Sequence, residues 1–389
     1  MKKVILAYSG GLDTSCCIQW LRDKGFEVIC FSANLGSEFS PSDLRARAIA
    51  SGAKKIYIKD LRREFARDYI TPSLKAGALY EGKYVLSTSL SRPLIAKHLV
   101  DVAKAENAAF LAHGCTGKGN DQVRFEITTA ILAPRIKTIA PLREWELQSR
   151  EDEIEYARLH KLPIKTTKEK LYSIDKNIWG VSIEGGVLED IAIEPPKNSY
   201  YFVKPLDTTP DKPSCVTIEF KCGVPVALNG KKIDILKLIE TLNRVGASHG
   251  VGRTDVIEDR VVGIKSREIY EAPAAWILYT AHRELESVVL DRETIFYKEF
   301  VSQKYSHLIY QGLWFTPLRI ALDAFINETQ KTVTGVIRLN LYKGNITPVT
   351  RESSNALYKK AFATYGAGDK FDRTLAEGFI KLWGMPYHK

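Results

Sequence analysis

The stretch Val4–Ser15, VILAYSGGLDTS, decides how the chain is to be read. Val4-Ile5-Leu6-Ala7 reads as a buried strand and Ser9-Gly10-Gly11 as a tight turn, and Thr14-Ser15 with apolar residues beyond begin a helix. Such a junction suits an anion. A helix N-terminus offers free N–H groups and a partial positive charge, two glycines admit close backbone approach, and Ser9, Thr14 and Ser15 add hydroxyl donors. Phosphate is the natural guest. The plainer alternative is a strand-to-helix turn capped by Thr or Ser. Neither G-x-x-x-x-G-K-[ST] nor G-x-G-x-x-G occurs in it, which excludes a Walker A loop and a dinucleotide fingerprint.

With 389 residues the chain can hold two domains, since single cores stop growing beyond ~250–300 residues. No apolar run approaches the ~20 residues of a spanning helix, and Met1-Lys2-Lys3 precedes a strand rather than a signal peptide, so a cytoplasmic protein with no membrane partner is expected. The six cysteines show no C-x-x-C spacing, and four are expected in helix or strand contexts as buried free thiols. The net charge of +10 comes from dispersed Lys and Arg without a basic tract, which argues against nucleic acid and fits small anionic substrates.

Strand and helix patterns alternate over the first ~160 residues, predicting an α/β domain with a mainly parallel sheet. The candidate strands are 3–8, 27–32, 55–59, 109–113 and 136–140, with helical spacing around Cys17, Trp20 and Leu21 and again from Ile95 to Ala103. After Pro163 the pattern becomes α+β. Strands are expected at 216–220, 224–228 and 333–341, and helices near 233–245 and 272–290. Leu375 to Trp383 reads as an amphipathic helix that a lone monomer has trouble covering. It either packs on a partner subunit or folds back on its own chain.

S-G-G-x-D-T-S after a first strand resembles the PP-loop of the ATP pyrophosphatases, enzymes that grip the β and γ phosphates and cleave ATP to AMP and pyrophosphate. A second glycine-rich stretch, AHGCTGKGNDQVRFE (Ala112 to Glu126), follows the fourth strand and should share its edge of the sheet. Gly114, Gly117 and Gly119 permit close approach, Thr116 and Asn120 offer neutral hydrogen bonds, Asp121 suits an ammonium and Arg124 a carboxylate. That mixture fits an amino acid; a loop capped by Asn120 or Asp121 is the plainer reading.

With this stretch the chain resembles the argininosuccinate synthase family end to end. EGKYVLSTSLSRPLIAK (Glu81 to Lys97), YSIDKNIWGVSIEGGVLED (Tyr172 to Asp190), HGVGRTDVIEDRVVGIKSREIYEAPAA (His249 to Ala275) and EGFIKLWG (Glu377 to Gly384) agree with it. The resemblance implies a nucleotide-binding domain over 1–163, a synthetase and multimerisation domain over 164–360 and an oligomerisation helix over 361–389, in a homotetramer. It implies ATP-driven ligation of citrulline to aspartate through a citrullyl-adenylate. Magnesium would ride mostly on phosphate oxygens and water, with no protein metal ligand and no side-chain nucleophile.

Carried over position by position, Ala7, Tyr8, Ser9, Gly10, Gly11, Leu12, Asp13, Thr14 and Ser15 would hold the phosphates, and Ala33 and Gly114 would contact the nucleotide. Thr116, Asn120 and Asp121 would bind aspartate. Tyr84, Ser89, Asn120 and Arg124, with Ser173, Ser182, Glu258 and Tyr270 from the second domain, would bind citrulline. Three positions depart from the family pattern. Ser37 stands where Gln is common, Ser248 where a basic residue is usual, and Glu268 where a glycine is usual, which raises the question of a positive φ beside Tyr270. Two rivals fit less well: a tRNA-modifying PP-loop enzyme lacks its RNA-binding appendage or cysteine pair here, and a non-catalytic ATP sensor has no use for Thr116–Arg124.

Overall fold

The five expected N-terminal strands form, and they make one parallel sheet. β1 (Lys2–Ala7), β2 (Phe26–Asn34), β3 (Lys55–Asp60), β4 (Phe110–His113) and β5 (Lys137–Ile139) lie in the order β3-β2-β1-β4-β5. The computed structural model describes residues 1–37, 40–147, 149–163 and 171–388. The apolar run of β1 follows from burial on both faces. Ile5 joins one core with Ile29, Phe31 and Leu111, while Val4 and Leu6 join another with Val28, Cys30 and Ala112. The Ser87–Ala105 helix closes the first core and the Leu12–Asp23 helix the second, each fully buried Leu or Ile contributing about 1.5–3 kcal/mol.

The ends of these elements differ slightly from the sequence reading. Tyr8 leaves the strand, although its N–H still donates to the Phe31 carbonyl at 2.9 Å, and the first helix starts at Leu12 rather than near Thr14. Three thiols, Cys16, Cys17 and Cys30, are buried as expected; Cys115 is half-buried, and Cys215 and Cys222 are exposed.

Beyond residue 171 the described chain carries β6 (Ser173–Asn177), β7 (Gly180–Glu184), β8 (Ser214–Lys221), β9 (Val224–Leu228), β10 (Lys231–Lys232), β11 (Arg253–Asp259), β12 (Lys265–Glu271), β13 (Gly335–Tyr342) and β14 (Asn345–Glu352). They pair antiparallel in two sheets, β10-β9-β8-β13-β14 and β11-β12-β7-β6. The Pro273–Val289 helix is buried over most of its length, with Ala274, Ile277, Leu278, Ala281 and Leu285 wholly inaccessible, which marks it as a central core helix.

The β11-β12-β7-β6 sheet is fastened directly to the first domain. Trp179, fully buried between β6 and β7, donates its indole N–H to the Val85 carbonyl at 3.0 Å, and Asn177 Nδ2 donates to the Ser87 carbonyl at 2.9 Å. These bonds set the sheet against the N-terminal end of the Ser87–Ala105 helix. The C-terminal Leu375–Gly384 helix buries none of its residues: Phe379, Ile380, Leu382 and Trp383 are 62–69% exposed. Among the described residues, no helix is long and apolar enough to cross a membrane.

Candidate active site

β1 and β4 are neighbours that leave the sheet centre in opposite directions, so the loops after them open at a topological switch point, where α/β sheets receive ligands. A methyl group on Gly114 would lie 3.0 Å from Thr14 Cγ2, so the two glycine-rich loops abut. Gly11 caps the Leu12–Asp23 helix without a side-chain hydrogen bond, leaving its first amides to an incoming acceptor. The hydroxyls interlock beside it: Ser15 Oγ donates to the Gly11 carbonyl at 2.8 Å, Ser9 Oγ lies 3.1 Å from Thr14 Oγ1, and the Gly11 N–H donates to Ser9 Oγ at 3.3 Å. Gly10 adopts φ +80°, a left-handed conformation suited to glycine, and its carbonyl accepts from Arg47 Nη1 at 2.8 Å.

Asp13 projects from the first helical turn toward Glu153. Burial, and then the Asp13 carboxyl beside it, push Glu153 from its ordinary 4.5 up to about 8. Ala33 lies near the end of β2, and Ser37 is exposed just beyond it.

In the second loop, Thr116 is exposed and its carbonyl accepts from the Gly119 N–H at 3.3 Å. Gly119, rather than Asn120 or Asp121, occupies the N-cap of the Asn120–Leu132 helix, so both side chains are spared from capping. Asp121 is gripped by two guanidinium groups: Arg124 Nη1 donates to Oδ1 and Arg92 Nε to Oδ2, each at 2.9 Å. Burial alone would raise its pKa, but Arg92 and Arg124 outweigh burial and hold the carboxyl below its usual range. Arg92 also pairs with Asp175 of β6. Arg124, 4% exposed, donates through Nε to the Tyr310 carbonyl at 2.9 Å, and its guanidinium lies 4.9 Å from the Tyr310 ring centre.

Tyr84 stacks on Tyr270 with ring centres 4.0 Å apart, and its hydroxyl accepts from the amides of Thr88 and Ser89 at 3.1 and 3.3 Å. The Tyr270 hydroxyl donates to Glu258 Oε2 at 2.6 Å, and Glu258 is 3% exposed. Burial raises the Glu258 pKa, an effect the Tyr270 and Tyr310 hydroxyls partly oppose. Cross-strand register aligns Ser182 with Tyr270 on one side and Asp175 on the other, and Ser182 Oγ lies 3.5 Å from Thr88 Oγ1. Tyr84, Ser89, Asn120, Arg124, Ser182, Glu258 and Tyr270 therefore join through shared partners or register. Ser173 is exposed at the start of β6, opposite Glu184, and no contact ties it to them.

Four further residues in this cluster escaped the sequence reading: Arg92, Arg260, Tyr80 and Tyr310. Arg260, at the tip of the β11–β12 hairpin, reaches the Lys118 carbonyl with Nη1 at 3.3 Å, and Nη2 meets Glu184 at 2.5 Å and Glu268 at 2.8 Å. The hairpin is thus pinned over the second loop. Glu268 lies in β12 outside the left-handed region, so the substituted glycine position imposes no backbone strain, and Tyr270 keeps its bond to Glu258. Burial first, then the Glu184 carboxyl, push the Glu268 pKa up to about 10. Ser248 Oγ bonds back to the Val245 carbonyl at 2.7 Å, and His249 bonds Ser214 Oγ at 2.7 Å; both belong to the packing of the second domain.

A parallel-sheet domain with a glycine-rich loop and an uncapped helix at its switch point, covered by an antiparallel sheet rich in carboxylate, guanidinium and hydroxyl groups, defines a nucleotide-dependent enzyme of the PP-loop, or HUP, class. The comparisons narrow this. Residues 3–163 match the family model described as the arginosuccinate synthase N-terminal HUP domain, and residues 172–389 match its C-terminal domain. The argininosuccinate synthase of Chlorobaculum tepidum is 56% identical over 386 residues, covering 99% of this chain and 96% of that protein. The argininosuccinate synthase of Caldanaerobacter subterraneus subsp. tengcongensis is 55% identical, with 99% and 94% covered. A predicted subunit of tRNA methyltransferase from Methanocaldococcus jannaschii shares 16% identity over 41% of this chain and 75% of that one, and its TM-score of 0.28 carries no argument. The chain belongs to the argininosuccinate synthase family.

Proposed function

We propose that this chain joins citrulline to aspartate at the expense of ATP, yielding argininosuccinate, AMP and pyrophosphate. The observation that carries the reading is the abutment of the two loops: the uncapped amides at Gly11 lie beside a loop whose Asn120, Asp121 and Arg124 have the polarity of an amino-acid site. Residues 7–15 hold the triphosphate, with Ala33 and Gly114 at the nucleoside. Thr116, Asn120 and Asp121 receive aspartate, and Tyr84, Ser89, Asn120, Arg124, Ser173, Ser182, Glu258 and Tyr270 receive citrulline.

The ureido oxygen attacks the α-phosphorus, the bond to the bridging oxygen breaks, and pyrophosphate leaves against the Gly11 amides. The aspartate ammonium loses one proton to solvent, the resulting amine nitrogen attacks the ureido carbon, AMP departs with the former ureido oxygen, and the nitrogen releases a second proton to solvent while keeping one as a guanidinium N–H. The protein's contribution is orientation and charge stabilisation, which together suffice when the adenylate supplies the leaving group. Mg2+ takes oxygen donors, and two carboxyl groups, Asp13 and Glu153, meet beside the loop. In this reading triphosphate oxygens and water supply most of the Mg2+ coordination.

The division into domains over 1–163, 164–360 and 361–389, with the last as an oligomerisation arm in a homotetramer, is part of the same proposal. Its first boundary lies at residues outside those described. The exposed Phe379, Ile380, Leu382 and Trp383 supply the arm's apolar face. Product analysis with each substrate left out in turn tests the chemistry. AMP and pyrophosphate should accumulate with ATP, citrulline and aspartate together. Formation of ADP, or an unchanged product in the absence of aspartate, would refute it.

A further inference from the structure

Asn120 and Glu258 belong to different domains, yet one hydroxyl connects them. Tyr310, the last residue of the Arg292–Tyr310 helix, is 1% exposed. Its hydroxyl lies 2.8 Å from Asn120 Nδ2 and 2.8 Å from Glu258 Oε1. The proton count fixes the direction of both bonds. An amide NH2 only donates, so the hydroxyl accepts from Asn120 and spends its single proton on Glu258.

The orientation of the Asn120 amide follows. Its Oδ1 accepts from the Val261 N–H at 2.8 Å, and a flipped amide would set NH2 against that N–H. The two bonds leave one N–H and one lone pair of Asn120 for a ligand. Glu258 has a hydroxyl on each oxygen, Tyr310 on Oε1 and Tyr270 on Oε2, which fixes its carboxyl plane. The Tyr310 ring is itself immobilised: it stacks on Tyr80 at 3.6 Å with planes 5° apart and meets the edge of Tyr84 at 6.3 Å.

We infer that Tyr310 is a positioning residue for both amino-acid subsites, its hydroxyl setting the Asn120 amide toward aspartate and the Glu258 carboxyl toward the ammonium of citrulline. The inference rests on the substrate assignments proposed above for Asn120 and Glu258. It predicts that losing one hydroxyl damages two substrates and spares the third. The phosphate loop shares no hydrogen bond with this group.

Tyr310→Phe keeps the ring stack and the Arg124 contact and removes only the hydroxyl. Steady-state kinetics on the full chain should show KM for citrulline and KM for aspartate each raised about tenfold, the size expected when a bond to a charged or ligand-holding group is lost. KM for ATP should change less than about twofold, and the melting midpoint should stay within a few degrees. A merely structural role would lower the midpoint and leave the three KM values in their original ratio, and that result, or failure of the variant to fold, would overturn the inference. Asn120→Ala and Glu258→Gln run alongside. If neither of them moves a KM, the substrate assignments fall and the inference with them; if they do and Tyr310→Phe does not, the inference alone falls.

Discussion

Three glycine-to-alanine changes separate what the phosphate loop needs for folding from what it needs for its ligand. Gly10 and Gly25 have nearly the same backbone, φ +80° and +83°, so alanine costs about 1–2 kcal/mol at either for the left-handed conformation. They differ in space. A Cβ on Gly10 would sit 2.4 Å from Leu44 Cδ1, whereas one on Gly25 meets nothing within 4 Å. Leu44 is 1% exposed and cannot swing into solvent, so overpacking adds about 1–3 kcal/mol at Gly10. At about 2–4 °C per kcal/mol for a unit of this size, Gly10→Ala should lower the melting midpoint by roughly 4–20 °C and Gly25→Ala by roughly 2–8 °C. Gly11 has φ −78°, and its added Cβ would find only Ser9 Oγ at 3.4 Å. Gly11→Ala should therefore melt like the parent, yet raise KM for ATP at least about tenfold, because its methyl group enters the space through which phosphate approaches the amides. Differential scanning fluorimetry and ATP-saturation kinetics read both effects. The reasoning fails if Gly10→Ala melts no lower than Gly25→Ala, or if Gly11→Ala binds ATP normally.

Asp121→Asn should reduce kcat/KM for aspartate about a hundredfold while pyrophosphate release from ATP and citrulline alone falls far less; rapid-quench measurement of the two half-reactions checks it, and equal losses would remove Asp121 from the aspartate site. Arg260→Met leaves Glu184 and Glu268 without their shared cation and frees the hairpin from the Lys118 carbonyl. A destabilisation of about 1.5–3 kcal/mol, the loss of hydrogen bonds made by a charged group, is expected by urea titration, together with a higher KM for aspartate. Glu153 makes stability pH-dependent in a stated direction. Its folded pKa of about 8 exceeds the ordinary 4.5, so its contribution is complete below 4.5 and is lost as pH rises through about 8. Melts of the parent and Glu153→Gln between pH 5 and 9 should agree best at the acid end, diverge by up to about 1.4 kcal/mol per pH unit between about pH 5 and 8 with the parent weakening more, and run parallel above that; curves parallel throughout would contradict the pairing with Asp13.

The first domain was legible because its strands are buried on both faces: β1, β2 and β4 are short apolar runs bounded by turn residues, and their crossover helices carry clear spacing. The sheet that covers the site was not. Its strands SIDKN, RTDVIED and KSREIYE carry charge at nearly every second position, and two of them bury Glu258, Glu268 and Glu271 alongside only Val256 and Ile269 among aliphatic side chains. A period-two search for apolar residues passes over such strands. Both glycine-rich loops announced themselves through local composition, and their adjacency followed from sheet order. Tyr310 had no local signal at all. Its partners lie 190 and 52 residues away, and only the packing of the Arg292–Tyr310 helix brings them together. Clasps such as Arg92 between Asp121 and Asp175 are hidden for the same reason.

The account turns on an oxygen atom, the ureido oxygen of citrulline, attacking the α-phosphorus held at the loop of Val4–Ser15. Citrulline labelled with 18O at the ureido position, incubated with ATP and aspartate, measures this directly when the products are weighed by mass spectrometry. The label should appear in the phosphate of AMP, one atom for each argininosuccinate formed. Label found in pyrophosphate or in solvent water, with unlabelled AMP, would contradict the mechanism.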